Sequence, residues 1–198
     1  MQVKTTNNGV IVENTEIAFL EFCDLVTDHL RCNPDTASIE KEALQLVLID
    51  FTEQQLESFV RHVCKWGGYA GIAGRILNQN SIATIRKQFR NANGKLAIRD
   101  IQGALTDLNC VRGLGSPSFA SKHLRFLRPE ICPVMDSIIS QRLNYSFTTQ
   151  GYELFAGDCA KIGMFLEDNR VTNPMKRVDN KWYAADVEMA LFAHLNNF

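Results

Sequence analysis

No stretch of this 198-residue sequence approaches the roughly 20 apolar residues that a membrane helix requires. The opening residues, MQVKTTNNGV, also lack the apolar centre of a secretory signal. A cytoplasmic chain with no membrane partner is therefore the expectation. The six cysteines (Cys23, Cys32, Cys64, Cys110, Cys132 and Cys159) stand singly, with no CxxC pair. That spacing argues against a zinc module and an iron–sulfur cluster, which need closely grouped thiolates. Reduced, mostly buried thiols fit an intracellular chain. Also missing are an internal repeat, a low-complexity tract and any convincing alternation of polar and apolar residues. Without that period-2 signal, all-α is the predicted fold class.

The most informative absence is acidic charge. From Ser58 to Arg99 there are eight Lys and Arg and no Asp or Glu. Extended to Pro129, the window holds twelve basic residues against Asp100 and Asp107 alone, while the rest of the chain carries nine basic and twenty acidic. A formal net charge of −1 thus hides a strongly basic centre between acidic flanks. Such segregation suggests an electropositive face, with nucleic acid as the favoured partner. A chance distribution over a neutral folded surface is the competing reading.

What is present is an ordinary globular composition, 45% hydrophobic with twelve phenylalanines. At this length, residues 1–198 read as a single domain with a substantial core. Helical spacing recurs over 15–30, 38–50 and, after the capping box Thr52–Gln55, up to a stop at Gly67-Gly68. Further helices are expected over 81–92, ended by Asn93-Gly94, and over 96–108, 150–168 and 182–195. Residues 1–14 read as an irregular or briefly extended lead-in. The expected arrangement is a central basic lobe, about 58–130, with terminal helices 15–50 and 150–197 packing as a second lobe and a cleft between the two.

The chain is organised around 111–143, VRGLGSPSFASKHLRFLRPEICPVMDSIISQRL. Gly113-Leu114-Gly115 forms a tight turn, Ser116 is a natural N-cap, and Pro117 suits the first helical position. Free backbone N–H groups and the dipole at such a helix start favour an anion. Asp136 follows Pro133-Val134-Met135 at the head of another short helical run.

This pattern resembles the helix-hairpin-helix DNA glycosylase superfamily, in which a G-x-G turn joins two helices and a proline-led catalytic aspartate lies about twenty residues beyond it. The strings FASKHLRFL and P-x-x-C-P-V-x-D further resemble small bacterial 8-oxoguanine-glycosylase-like proteins, some of which are linked to phage defence. The resemblance covers about 60–165. It implies an enzyme that flips a damaged or modified base out of double-stranded DNA, acts as a monomer and requires no cofactor, although the family's hairpin carbonyls often hold a monovalent cation. The base remains open between oxidised guanine and a phage-type modified cytosine.

On that resemblance, Gly113, Gly115, Ser116 and Ser118 grip a phosphate, and Asp136 stabilises the sugar cation as the base–sugar bond breaks. A packing corner and a helix N-cap are the alternative readings. The family's lyase lysine directly follows the turn, where this chain has Ser116-Pro117-Ser118. Lys122, one turn later, is read as nucleophile, phosphate contact or neither. Arg86, Lys87, Arg90 and Arg125 are expected to contact phosphates. Trp66, Tyr69, Gln79, Asn80 and His123 are candidates for stacking on the base or filling its gap, with core packing or a helix start as the alternatives. A silent DNA-binding module with the same hairpin is the rival function, and a helical protein-interaction domain is the third.

Overall fold

The computed structural model describes residues 3–49 and 51–196, without the side chain of Ile49. Residues 1–2, 197–198 and Asp50, the end of the expected 38–50 helix, lie outside the described residues. Within them the chain is mainly helical, with ten α-helices, one 3-10 turn and a three-stranded sheet.

The sheet corrects the all-α expectation. Strands β1 (Val3–Thr6), β2 (Gly9–Val12) and β3 (Thr15–Ala18) form an antiparallel meander. Its register sets Val3 opposite Val12 and Val10 opposite Ile17, and all four side chains are buried. Glu13 and Asn14 both take positive φ, 49° and 70°, as a two-residue hairpin turn demands. Helix α1 therefore starts at Phe19 rather than at Thr15 and runs to Cys32.

Helices α2 (Thr36–Ile49) and α3 (Glu53–Trp66) follow, and Thr52 caps α3 by accepting the Gln55 N–H. The glycine-punctuated stretch beyond holds an unexpected helix, α4 (Gly71–Gln79). Helix α5 (Ile82–Ala97) runs through Asn93-Gly94 instead of ending there. Buried Ala92 and Leu96 continue its apolar stripe, and that packing outweighs the roughly 1 kcal/mol cost of an interior glycine. The chain turns only at Arg99, and Asp100 caps α6 (Ile101–Asn109).

Helices α7 (Ser118–Leu127), α8 (Ser137–Arg142), α9 (Thr149–Asp168) and α10 (Ala184–Leu195) complete the chain. α10 packs against α1, α8 and α9, and every residue from Ala184 to Leu191 is buried. A helix that is apolar all round belongs in the middle of a protein. α7 is its counterpart, buried from Ala120 to Leu127 and packed against α2, α3 and α6. These two central helices carry the polar side chains that matter below.

Candidate active site

The hairpin between α6 and α7 is built as its glycines require. Gly113 and Gly115 take φ of 83° and 72°, a region that disfavours any side chain. A Cβ on Gly113 would also fall 2.9 Å from Arg75 Cγ, whose stem crosses the turn from α4. Leu114 is buried and anchors the loop. Asn80 clamps it from below: its Oδ1 accepts the Arg112 N–H at 3.1 Å, and its Nδ2 donates to the Arg112 carbonyl at 2.9 Å. That clamp corrects the expectation of a polar finger, because both ends of the amide are occupied by backbone. Neighbouring Gln79 is exposed beside Gly113.

The Gly113, Gly115 and Ser116 amides donate to no protein acceptor among the described residues. Ser116 is not the N-cap, because α7 starts at Ser118 with Pro117 in the cap position. The Ser118 hydroxyl turns inward and accepts from Lys122 Nζ at 3.3 Å. Around the turn, the carbonyls of Leu108, Val111, Arg112 and Gly115 each already accept a protein N–H. No step below runs through the monovalent cation of the resemblance.

Two further expectations fail on burial. His123 is fully buried, with its ring edge-on to Phe59 and Phe89 and Nδ1 within 2.7 Å of the Phe119 carbonyl. Burial pushes its pKa down to about 4, so it is a neutral core residue and cannot meet a base. Arg125 is also fully buried, paired with Glu40 at 2.6 Å, with its guanidinium 4.4 Å from the Phe126 ring centroid. It joins α7 to α2 and has no path to a phosphate. Arg86, Lys87 and Arg90 surround a shallow depression on α5 with Glu53 and Asn91, and share no residue with the cleft described next.

Lys122 and Asp136 share a cleft, although no ion pair within 4.0 Å joins them. Both line this cleft of about 190 Å³ together with Trp66, the Gly67-Gly68 turn, His29, Asn33, Val134, Glu188 and Phe192. That is room for about six waters at ~30 Å³ each, the scale of one planar ring system. The walls are aromatic. Trp66 donates Nε1–H to Thr36 Oγ1 at 2.9 Å and stands edge-on to Phe126, while His29 lies against both Trp66 and Phe192. Tyr69, 58% exposed, sits just outside.

Lys122 is only 8% exposed. Its stem passes beneath Gly67, and its ammonium lies 4.8 Å from the Phe119 ring centroid. Burial pulls its pKa down, while Asp136 and Glu188 pull the other way. Asp136 is half-buried at the start of α8, where its Oδ1 accepts the Ile139 N–H at 3.0 Å. N-cap and cleft carboxylate are thus one residue in two roles.

The segment that delivers Asp136 is pinned at three consecutive residues. Tyr152 Oη donates to the Pro133 carbonyl at 2.9 Å, the Val134 N–H donates to Glu188 Oε2 at 3.4 Å, and the Met135 N–H donates to Ser121 Oγ at 3.0 Å. Tyr152, Glu188 and Ser121 were not anticipated, nor were His29, Asn33 and Phe192. Glu188 did carry a signal: an acid in the apolar run AADVEMALFAHL is either buried or misplaced.

No protein-family model matches the chain, and neither does any curated protein or solved structure.

Proposed function

We propose that the protein is a DNA glycosylase of helix-hairpin-helix type, which draws a damaged or modified base into the cleft and cuts its bond to the sugar. The observation that carries this reading is the convergence of Lys122 and Asp136 in one aromatic-walled cleft, from segments fourteen residues apart. A silent DNA-binding module has no use for a buried lysine facing a carboxylate. The free amides of Gly113, Gly115 and Ser116 supply a sequence-independent phosphate grip. The basic α5 face adds further phosphate contacts, and its salt-sensitive attraction holds duplex DNA against the hairpin.

In this reading Trp66 stacks on the extruded base and excludes water. Asp136 faces the sugar and stabilises positive charge as the C1′–N bond breaks. Lys122 Nζ is the nucleophile. Burial shifts it toward the neutral amine, and the Ser118 hydroxyl orients it. Attack at C1′ forms a C–N bond as the old one breaks, and the resulting adduct opens to an iminium that supports strand cleavage. Removal of oxidised guanine in repair and of a modified cytosine from phage DNA both fit a cleft of this kind.

The test is incubation with duplexes that carry a panel of modified bases, including modified phage genomes, followed by assay for abasic sites. Wild type leaves abasic sites in at least one, while Asp136→Asn retains DNA and leaves none. Base release by that variant at the wild-type rate overturns the assignment of Asp136. Borohydride traps a covalent adduct that Lys122→Ala abolishes, and continued trapping by that variant overturns the nucleophile.

A further inference from the structure

We propose that Glu188 is the acid that hands a proton to the departing base, which makes uncharged bases the substrate class of the cleft. The proposal rests on the glycosylase reading above and adds to it a catalytic residue from outside the hairpin-to-aspartate stretch.

Helix α10 buries two carboxyl groups, and the contrast between them is the starting point. Asp186 is fully answered: Arg177 pairs with it at 2.6 Å and Asn173 Nδ2 donates to it at 2.8 Å. Glu188, 2% exposed, receives one long hydrogen bond from the Val134 N–H at 3.4 Å. Among the described residues no Lys, Arg or His lies within 4.0 Å of its oxygens. The guanidinium that faces it, Arg125, is committed to Glu40. A buried carboxyl with so little compensation costs stability and returns none in packing. Its position supplies the reason. Glu188 lines the cleft with Lys122 and Asp136, and it comes from α10, one turn before Phe192.

Two carboxyl groups thus share one cleft in unequal surroundings. Asp136 is half-buried, and its carboxylate accepts the Ile139 N–H at the start of α8. Glu188 is enclosed, and burial first, then the nearby Asp136, pushes its pKa up to about 8. Such a division marks one group as the charge stabiliser and the other as the proton donor. As the C1′–N bond breaks, its electron pair goes to the base and the Glu188 proton passes to a base nitrogen or oxygen. Lys122 Nζ supplies the pair for the new C1′–N bond, and the proton it sheds returns to the Glu188 carboxylate. A base that already carries positive charge leaves as a neutral molecule and has no need of this proton.

The groups facing Glu188 allow its titration to be told apart. Asp136 comes from the pinned segment, Lys122 and Arg125 from α7, Tyr152 and Cys159 from α9, and His29 from α1. Burial pushes Tyr152 and Cys159 well above their ordinary values and His29 down to about 4. Deprotonation of Lys122 raises the rate with pH, whereas deprotonation of Glu188 lowers it.

The experiment measures single-turnover base release from duplex DNA by the full chain across pH, with wild type and Glu188→Gln. The expected wild-type rate falls tenfold per pH unit above about 8. Glu188→Gln is about 100-fold slower, lacks that alkaline fall, and recovers most of the deficit on a halogenated analogue of the same base, which leaves more easily. Wild type also shows a solvent deuterium effect on the same step, a readout that does not depend on whether the variant folds. A Glu188→Gln rate equal to wild type, or a slower rate with the alkaline fall intact, overturns this proposal alone. A wild type that releases no base from any duplex overturns the glycosylase reading, and this proposal with it.

Discussion

Gly67 stands so close to Lys122 that a Cβ on it would fall 2.7 Å from Lys122 Cδ and 3.0 Å from Phe119 Cε1. The absence of a side chain at the end of α3 is what lets the lysine stem reach the cleft. Gly67→Ala is expected to push Lys122 aside and slow base release by roughly 10- to 100-fold, because small misplacements of a reacting group are costly. DNA retention, which the proposed function assigns to the hairpin, should stay within about twofold. Unchanged release in a folded Gly67→Ala variant would sink the nucleophile assignment.

Asn80 holds both backbone groups of Arg112 and so fixes the approach to Gly113. In Asn80→Ala, three hydrogen bonds are lost, two with Arg112 and one to the Ile76 carbonyl, at about 1 kcal/mol each. The expected result is a roughly tenfold loss of DNA affinity with helix content intact. Affinity measurement and circular dichroism on the same preparation check it, and undiminished affinity would show that the hairpin needs no clamp.

Lys87 and Arg125 make opposite predictions although both read as basic helix residues. Lys87 is exposed on α5. Lys87→Gln should weaken binding to all duplexes alike and reduce the slope of log affinity against log salt by about 1. Arg125→Met should leave that slope alone and destabilise the fold by about 1.5–3 kcal/mol, since Glu40 loses its charged hydrogen bond from α7 and keeps only Arg177. Salt titrations and urea unfolding of the two variants separate these outcomes.

Acid should destabilise the protein in two overlapping steps. His29 and His123 are held neutral by burial, with pKa values pushed down to about 4. In the unfolded chain they take up protons near 6.5, so the unfolded state binds more protons between about 6.5 and 4. Stability therefore falls on acidification through that window, by a few kcal/mol in all. Burial pushes the Glu40 carboxyl up, but Arg177 and Arg125 outweigh it and hold it below 4.5. Its contribution is present above that value and is lost as pH falls further. Urea unfolding at a series of pH values checks both steps, and stability that stays flat from pH 6.5 to 4 would contradict the burial of the two imidazoles.

The hairpin and the proline-led aspartate were legible because each carries its own local chemistry: glycines where φ is positive, a carboxylate where a helix begins. The strands were not legible, because four-residue segments give alternation too little length and Glu13-Asn14 is not a common hairpin turn. His123 and Arg125 misled for a different reason. Residue type announces exposure only when one helix face is free, and α7 is enclosed by α2, α3 and α6. Glu188 lies 52 residues beyond Asp136, and only the tertiary fold brings the two together.

The pinned segment 133–135 has a consequence for how such a protein changes over generations. Its anchors come from α7, α9 and α10, and α8 has only six residues, too few to hold Asp136 in place unaided. Transplanting 111–143 into another helical scaffold would carry the motif but lose the site. His29, Asn33 and Phe192 make none of these three hydrogen bonds, so on the proposed reading they can be exchanged while the carboxylate stays put. Glu188 belongs to both sets. A lineage that shifts from one modified base to another is expected to rework the first three residues and keep the fourth.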